Sequence, residues 1–207
     1  SYTPQLAQAL QSCRVPIVVT GQRFPDVSCV YNDDRSAARD LTCRMLDRGR
    51  KKIVYIGGTE RDQATGVQRR TGVQDALKTA GLDAENLPRI CCTDFTMDEG
   101  ERCMRELLTR CPDLDGVVCV TDTVAFGAMR VLKQAGKRIG VDVSLAGVGD
   151  SWAGNITEPG LTTVQFYQMQ VGEEAARMLL QMLDEKEPGG MLRQVTLGYR
   201  VLERGSI

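Results

Sequence analysis

The stretch GVVCVTDTVAFGAMRVLKQAG, residues 116–136, decides the fold. It opens on a continuous apolar run, Val117-Val118-Cys119-Val120, the pattern of a strand buried on both faces. The run breaks at Thr121-Asp122. Apolar residues then recur at helical spacing until Gly136, a residue type that commonly closes helices. Asp122 sits at the seam. A carboxylate there serves first as a helix N-cap, worth about 1 kcal/mol; holding a ligand is the alternative.

The same unit repeats outward. Downstream come a strand at 144–148, a loop at 150–159 and a short strand at 161–164. A long amphipathic helix at 167–185 follows, with Val171, Ala175, Met178, Leu179 and Met182 on one stripe. It breaks at 186–190. An alternating strand at 194–202 closes the chain, with Val195, Leu197, Tyr199 and Val201 on one face. Upstream, Thr3-Pro4 opens a first helix, and strands are expected at 14–20 and 27–31. Asp33 and Asp34 precede a helix that ends near Arg48, and capping accounts for both. A strand at 52–56 and a polar loop at 59–66 lead to a helix at 68–80. A brief strand at 90–92 precedes a helix at 100–110. This alternation predicts an α/β fold with doubly wound parallel sheets. In such sheets ligands sit beyond the carboxyl ends of the strands. The loops to inspect are 21–24, 57–69, 93–95, 121–122, 149–152 and 165–167.

Composition narrows the function. At 207 residues, 42% hydrophobic and 26% charged, the chain can bury one or two ordinary cores. A formal net charge of −1 leaves no basic footprint with which to grip DNA. No apolar run approaches the ~20 residues of a bilayer span. The opening residues lack the parts of a signal peptide, so a cytoplasmic protein with no membrane partner is expected. The 8 cysteines lie mostly in apolar runs, without a CxxC and without any histidine. They read as small buried hydrophobes in a reducing compartment, and no metal site is expected. The missing histidine removes the commonest general base. Neither GxGxxG nor GxxxxGK[ST] occurs. Neither a cofactor nor an enzymatic activity is expected.

The loops carry planar polar groups and rings instead. Arg69 starts a helix, where a cation opposes the dipole; that suggests forked hydrogen bonding to a ligand. Phe95 and Trp152 can stack on a sugar or anchor their loops. Asp150 is either a turn former or a hydroxyl acceptor.

Four stretches carry a resemblance: VYNDDRSAARDLTCRMLDRGRKKIVYIGG, QRRTGVQDALKTAGL, TDTVAFGAMRVLKQAGKRIGVDVSLAGVGD and PGLTTVQFYQMQVGEEAARMLLQML. Over residues 14–204 the chain resembles, in order and spacing, the effector-binding region of the LacI/GalR family of bacterial transcriptional repressors. VSCVYNDD, VGDS and LTTVQFY look most like sucrose- and trehalose-type members. The resemblance implies two periplasmic-binding-protein-like subdomains, crossed near Asp33, Gln165 and Gln194. Residues 1–32 and 166–193 would form an N-terminal subdomain, incomplete here. Residues 33–165 and 194–207 would form the C-terminal one. It also implies a homodimer, and operator DNA bound through a helix-turn-helix head absent from this sequence. The effector would be a small sugar or sugar phosphate, with a periplasmic sugar carrier as the alternative reading. By resemblance Arg69, in R-x-x-G, is the ligand anchor and Phe95 the aromatic platform. Thr121 stands where many members have a ligand-binding Asn. Asp150 follows an acidic ligand position, and Gln22 and Phe166 meet the sugar from the other side. Gln22 replaces a commonly charged residue, which argues against a phosphorylated sugar. Asp122 stays mainly the cap that shapes the pocket, with Thr121 facing the ligand.

Overall fold

The strand–helix alternation runs through the computed structural model, which describes residues 3–184 and 191–207. The expected helix end at 185 and the break at 186–190 lie outside the described residues. Four parallel strands form one sheet in the order β4-β3-β5-β6: β3 (Ile53–Gly57), β4 (Arg89–Cys91), β5 (Gly116–Cys119) and β6 (Ser144–Ala146). Their near-continuous apolar runs are explained by what covers each face. Val54, Ile56, Val117 and Cys119 pack with Met104, Leu107, Val124 and Leu132 of α4 (Met97–Arg110) and α5 (Asp122–Gln134). The alternate residues Ile53, Tyr55 and Val118 pack with Leu41, Met45, Val73 and Leu77 of α2 (Asp34–Asp47) and α3 (Arg69–Thr79). Each fully buried aliphatic side chain contributes about 1.5–3 kcal/mol.

A second parallel sheet, β1-β2-β8, joins β1 (Val18–Thr20), β2 (Ser28–Asn32) and β8 (Gln194–Leu197). Val30 packs against Val171, Ala175 and Met178 of α6 (Gln168–Asp184), with Val18, Val195 and Leu197 beside them. On the other face Phe24, Val27 and Cys29 meet Leu10 of α1 (Pro4–Ser12), the helix that Thr3 caps by accepting from the Leu6 N–H at 3.2 Å. No described helix is long and apolar enough to cross a membrane.

A two-stranded antiparallel ribbon, β7 (Thr163–Phe166) with β9 (Tyr199–Leu202), stands between the sheets in chain order. The chain passes from the three-stranded sheet to the four-stranded unit after Asn32, back after Phe166, and over again at Gly198. The third crossing was expected at Gln194, and 194–202 was expected as one strand. The sequence alternates without a break because both halves bury the same parity. They do so in different cores: Val195 and Leu197 against α6, Tyr199 and Val201 against the cluster of α2 and α3.

Candidate functional site

Asp62 accepts from the Thr65 backbone N–H at 2.7 Å and from its hydroxyl at 2.8 Å, starting a π-helical turn, Gln63–Gln68. The sequence predicts a polar loop there, since the segment has no apolar period. π-Turns are uncommon and concentrate at functional sites. This one leads directly into α3, so Arg69 does not stand at a free helix N-terminus, and the dipole argument for it does not apply.

The Arg69 side chain is held on three sides. Its Nε donates to Asp34 Oδ1 at 2.7 Å and its Nη1 to the Val120 carbonyl at 2.5 Å. Its guanidinium carbon lies 5.5 Å from the centroid of the Phe166 ring, within cation–π range. Arg69 is only 12% exposed and Asp34 4%. Burial lifts the Asp34 carboxyl above its usual range, and the Arg69 guanidinium pulls it back. Asp34 therefore does not cap α2. Asp33 does, accepting from the Ser36 N–H at 3.0 Å. The fourth residue of the R-x-x-G motif makes this pairing possible. A Cβ on Gly72 would come within 2.1 Å of the Arg35 carbonyl oxygen, so only glycine lets α3 press onto α2.

Beside this pair lies a cavity of about 670 Å³. Gln22, Asn32, Asp33, Asp34 and Thr196 line it from the side of the three-stranded sheet and the first crossing; Gln63, Ala64 and Gln68 of the π-turn close the other side. Gln22 Oε1 and Asn32 Oδ1 are buried and accept no hydrogen bond among the described residues. A buried acceptor left unpaired costs about 1–3 kcal/mol. The two arginines at the rim are already engaged: Arg23 with Gln194 Oε1 at 2.8 Å, Arg35 with Asp75 Oδ2 at 2.6 Å.

The seam at 121–122 is the reverse of the expected arrangement. Thr121 is the N-cap of α5, with extended backbone and a side chain accepting from the Val124 N–H at 3.3 Å. Asp122 is buried in the first turn and ties two later segments to the helix. Its Oδ1 accepts from the Thr163 hydroxyl at 2.6 Å and its Oδ2 from the Ser151 N–H at 2.7 Å. Burial raises its carboxyl, and these hydrogen bonds oppose the rise. A Cβ on Gly147 would lie 2.3 Å from Asp122 Oδ1, so the glycine makes room for the carboxylate.

Of the expected ligand residues, Gln22 alone lines the cavity. Arg69 and Phe166 join it through Asp34. Asp150 has left-handed backbone (φ 49°), and its carboxylate takes hydrogen bonds from Arg204 at 2.9 Å and Gln165 at 3.0 Å. Both oxygens are thereby engaged. Phe95 is exposed, with its ring tip beside Gly58. Trp152 is 75% exposed. Asn32 and Asp34 were missed as candidate functional residues. The available signal was the surplus acid in Asp33-Asp34, since one carboxylate suffices for a cap.

Comparison with known proteins places these features. Residues 43–207 match the periplasmic binding protein-like domain. The chain is 35% identical over 201 residues to the HTH-type transcriptional regulator CelR of Thermobifida fusca, covering 94% of this chain and 58% of that protein. Among solved structures, a LacI family transcriptional regulator from Silicibacter pomeroyi superposes with a TM-score of 0.87 at 29% identity, covering 100% of this chain and 75% of that one. A complex of the transcriptional regulator CelR with cellobiose superposes at 0.86 with 33% identity, over 97% and 62%. The chain thus spans about three fifths of the length of its curated relative.

Proposed function

This chain belongs to the periplasmic binding protein-like domain family, as the effector-binding domain of a LacI-family regulator, and from that membership we propose that it senses a small neutral sugar and controls transcription of a carbohydrate-utilisation operon, as a repressor. The observation that carries the reading is the buried Arg69, pinned by Asp34 and Phe166 at the margin of a cavity lined by Gln22 and Asn32, whose buried amide oxygens are unpaired among the described residues. Sugar hydroxyls supply the donors those acceptors lack. A phosphate is the poorer fit, because Asp33 and Asp34 line the cavity and the nearby rim arginines are taken. A relative bound to cellobiose makes disaccharides the first class to try, with sucrose- and trehalose-like sugars beside it. Arg69, Phe95, Thr121, Asp122, Asp150 and Phe166 belong to this reading with Gln22: Arg69 and Phe166 at the ligand, Thr121, Asp122 and Asp150 fixing the segments that follow β5 and β6.

Regulation follows from the three crossings. A ligand that touches both sides of the cavity stabilises the closed arrangement of the two units. In this reading the protein acts in the cytoplasm as a homodimer, and a helix-turn-helix segment outside these residues holds the operator. Met169, Leu180 and Leu183, exposed along α6, suit such an assembly.

Calorimetric titration of the chain with cellobiose, sucrose, trehalose and their phosphates tests the proposal. Saturable binding of a neutral sugar, lost at least about a hundredfold in Arg69→Ala, is expected from the loss of a charged hydrogen-bonding anchor. Unchanged affinity in that variant would remove Arg69 from the site, and preference for a phosphorylated sugar would overturn the neutral-ligand reading.

A further inference from the structure

On the far side of the four-stranded sheet, three soft or anionic donors converge. Cys92 follows β4. Glu99 and Cys103 stand four residues apart on one face of α4. The two Sγ atoms are 3.6 Å apart, and one ligand atom from each of the three residues lies within 4.8 Å of the others. Both cysteines are buried in the core formed with α5. Arg102 sits over the group. Its Nε donates to Glu99 Oε1 at 2.8 Å, and its Nη2 to Glu99 Oε2 at 3.1 Å and Cys103 Sγ at 3.3 Å.

We propose that Cys92, Glu99 and Cys103 form a site for a thiophilic divalent metal ion of the zinc class, with the Arg102 guanidinium as its exchangeable lid. Geometry supports this. Zn–S bonds of ~2.3 Å in a tetrahedron set two thiolates about 3.8 Å apart, close to the separation seen here. Such an ion needs little rearrangement of the thiols. Charge supports it as well. Two thiolates and a carboxylate carry −3, a divalent ion brings the group to −1, and the adjacent guanidinium balances the rest. Access runs through Arg102, whose side chain is half exposed and would exchange its bonds to Glu99 and Cys103 for the ion. The three protein donors leave a fourth position for water, as in open zinc sites. The spacing C-x6-E-x3-C is not a zinc-ribbon pattern, because the pair of thiols is assembled across a loop and a helix rather than within one turn.

The loop between Cys92 and α4 carries Phe95, so an ion there would brace the ring that stands near the π-turn. The metal site stands independently of the sugar reading.

Cd²⁺ titration of the full chain tests it, with Cys13, Cys43, Cys91 and Cys111 changed to Ser to remove the more accessible thiols. The expected result is a thiolate-to-metal ultraviolet band saturating at one equivalent, and a rise in melting temperature with Cd²⁺ or Zn²⁺. Cys92→Ser and Cys103→Ser each reduce the band by about half, one of its two thiolates being lost. Glu99→Gln, a partly exposed change that leaves the core intact, weakens binding more than about tenfold. Arg102→Gln retains the site. Absence of the band in the four-serine background, a band unaltered by Cys92→Ser or Cys103→Ser, or full affinity in Glu99→Gln would each overturn the proposal.

Discussion

Asp122 shows how much one side chain can hold. It fastens the start of α5 to the loop at Ser151 and to β7 at Thr163, so three segments share one carboxylate. Asp122→Asn keeps the volume but can accept at only one oxygen. The Ser151 N–H or the Thr163 hydroxyl then faces an amide donor, costing about 1–3 kcal/mol. The pH dependence has a definite sign. The folded-state pKa is raised above 3.8, so the native state binds the proton more tightly than the unfolded chain. This group's favourable contribution is full below 3.8 and is lost as pH rises through the folded value. Denaturant unfolding of Asp122→Asn at a series of pH values upward from 4 should show a lower stability throughout and a shallower decline in that window. A variant whose profile runs parallel to the parent would show that Asp122 titrates as it does in the unfolded chain. Thr121 and Asp122 also mark the limit of reading caps from sequence: both are good capping residues, and the choice was made by Thr163, 41 residues after Asp122, which supplies the carboxylate with a better partner.

Among the elements, α2 and α3 are the pair on which the candidate site depends. Gly72 sets their separation, and Asp34 and Arg69 meet one turn earlier on the same two helices. Gly72→Ala would drive a methyl into the Arg35 carbonyl, an overpacking cost of roughly 1–3 kcal/mol or more. It should also reduce sugar affinity, because the arginine is displaced with its helix; thermal unfolding and calorimetry read the two effects separately. A stable variant with parental affinity would break the link between helix contact and anchor. The helices and the buried strands were legible because their apolar periods are strong and continuous. The π-turn was not, since nothing periodic distinguishes it from a loop. The split at Gly198 was hidden by an unbroken alternation. Asp34 was hidden by a sufficient local explanation, helix capping. The thiol pair was invisible because Cys92 and Cys103 meet only after β4 and α4 have packed.

At the scale of the whole chain, two sheets are joined by three crossings, and the cavity is lined by residues at the first of them, Asn32, Asp33 and Asp34, with Thr196 two residues before the third. In the proposed reading, a sugar filling that space would pull on the connections themselves and so carry occupancy to a partner. The order β1-β2-β8 has another consequence. Among the described residues β1 pairs on one side only, so its outer rim offers bare peptide groups along a short, uncharged run, Val18-Val19-Thr20. Such a rim is a template on which a second polypeptide can lay a strand. Preparations of residues 1–207 should therefore grow larger species as they are concentrated, visible by light scattering. Thr20→Lys, at the exposed end of that rim, should keep them dispersed; equal growth in the lysine variant would place the adhesive surface elsewhere.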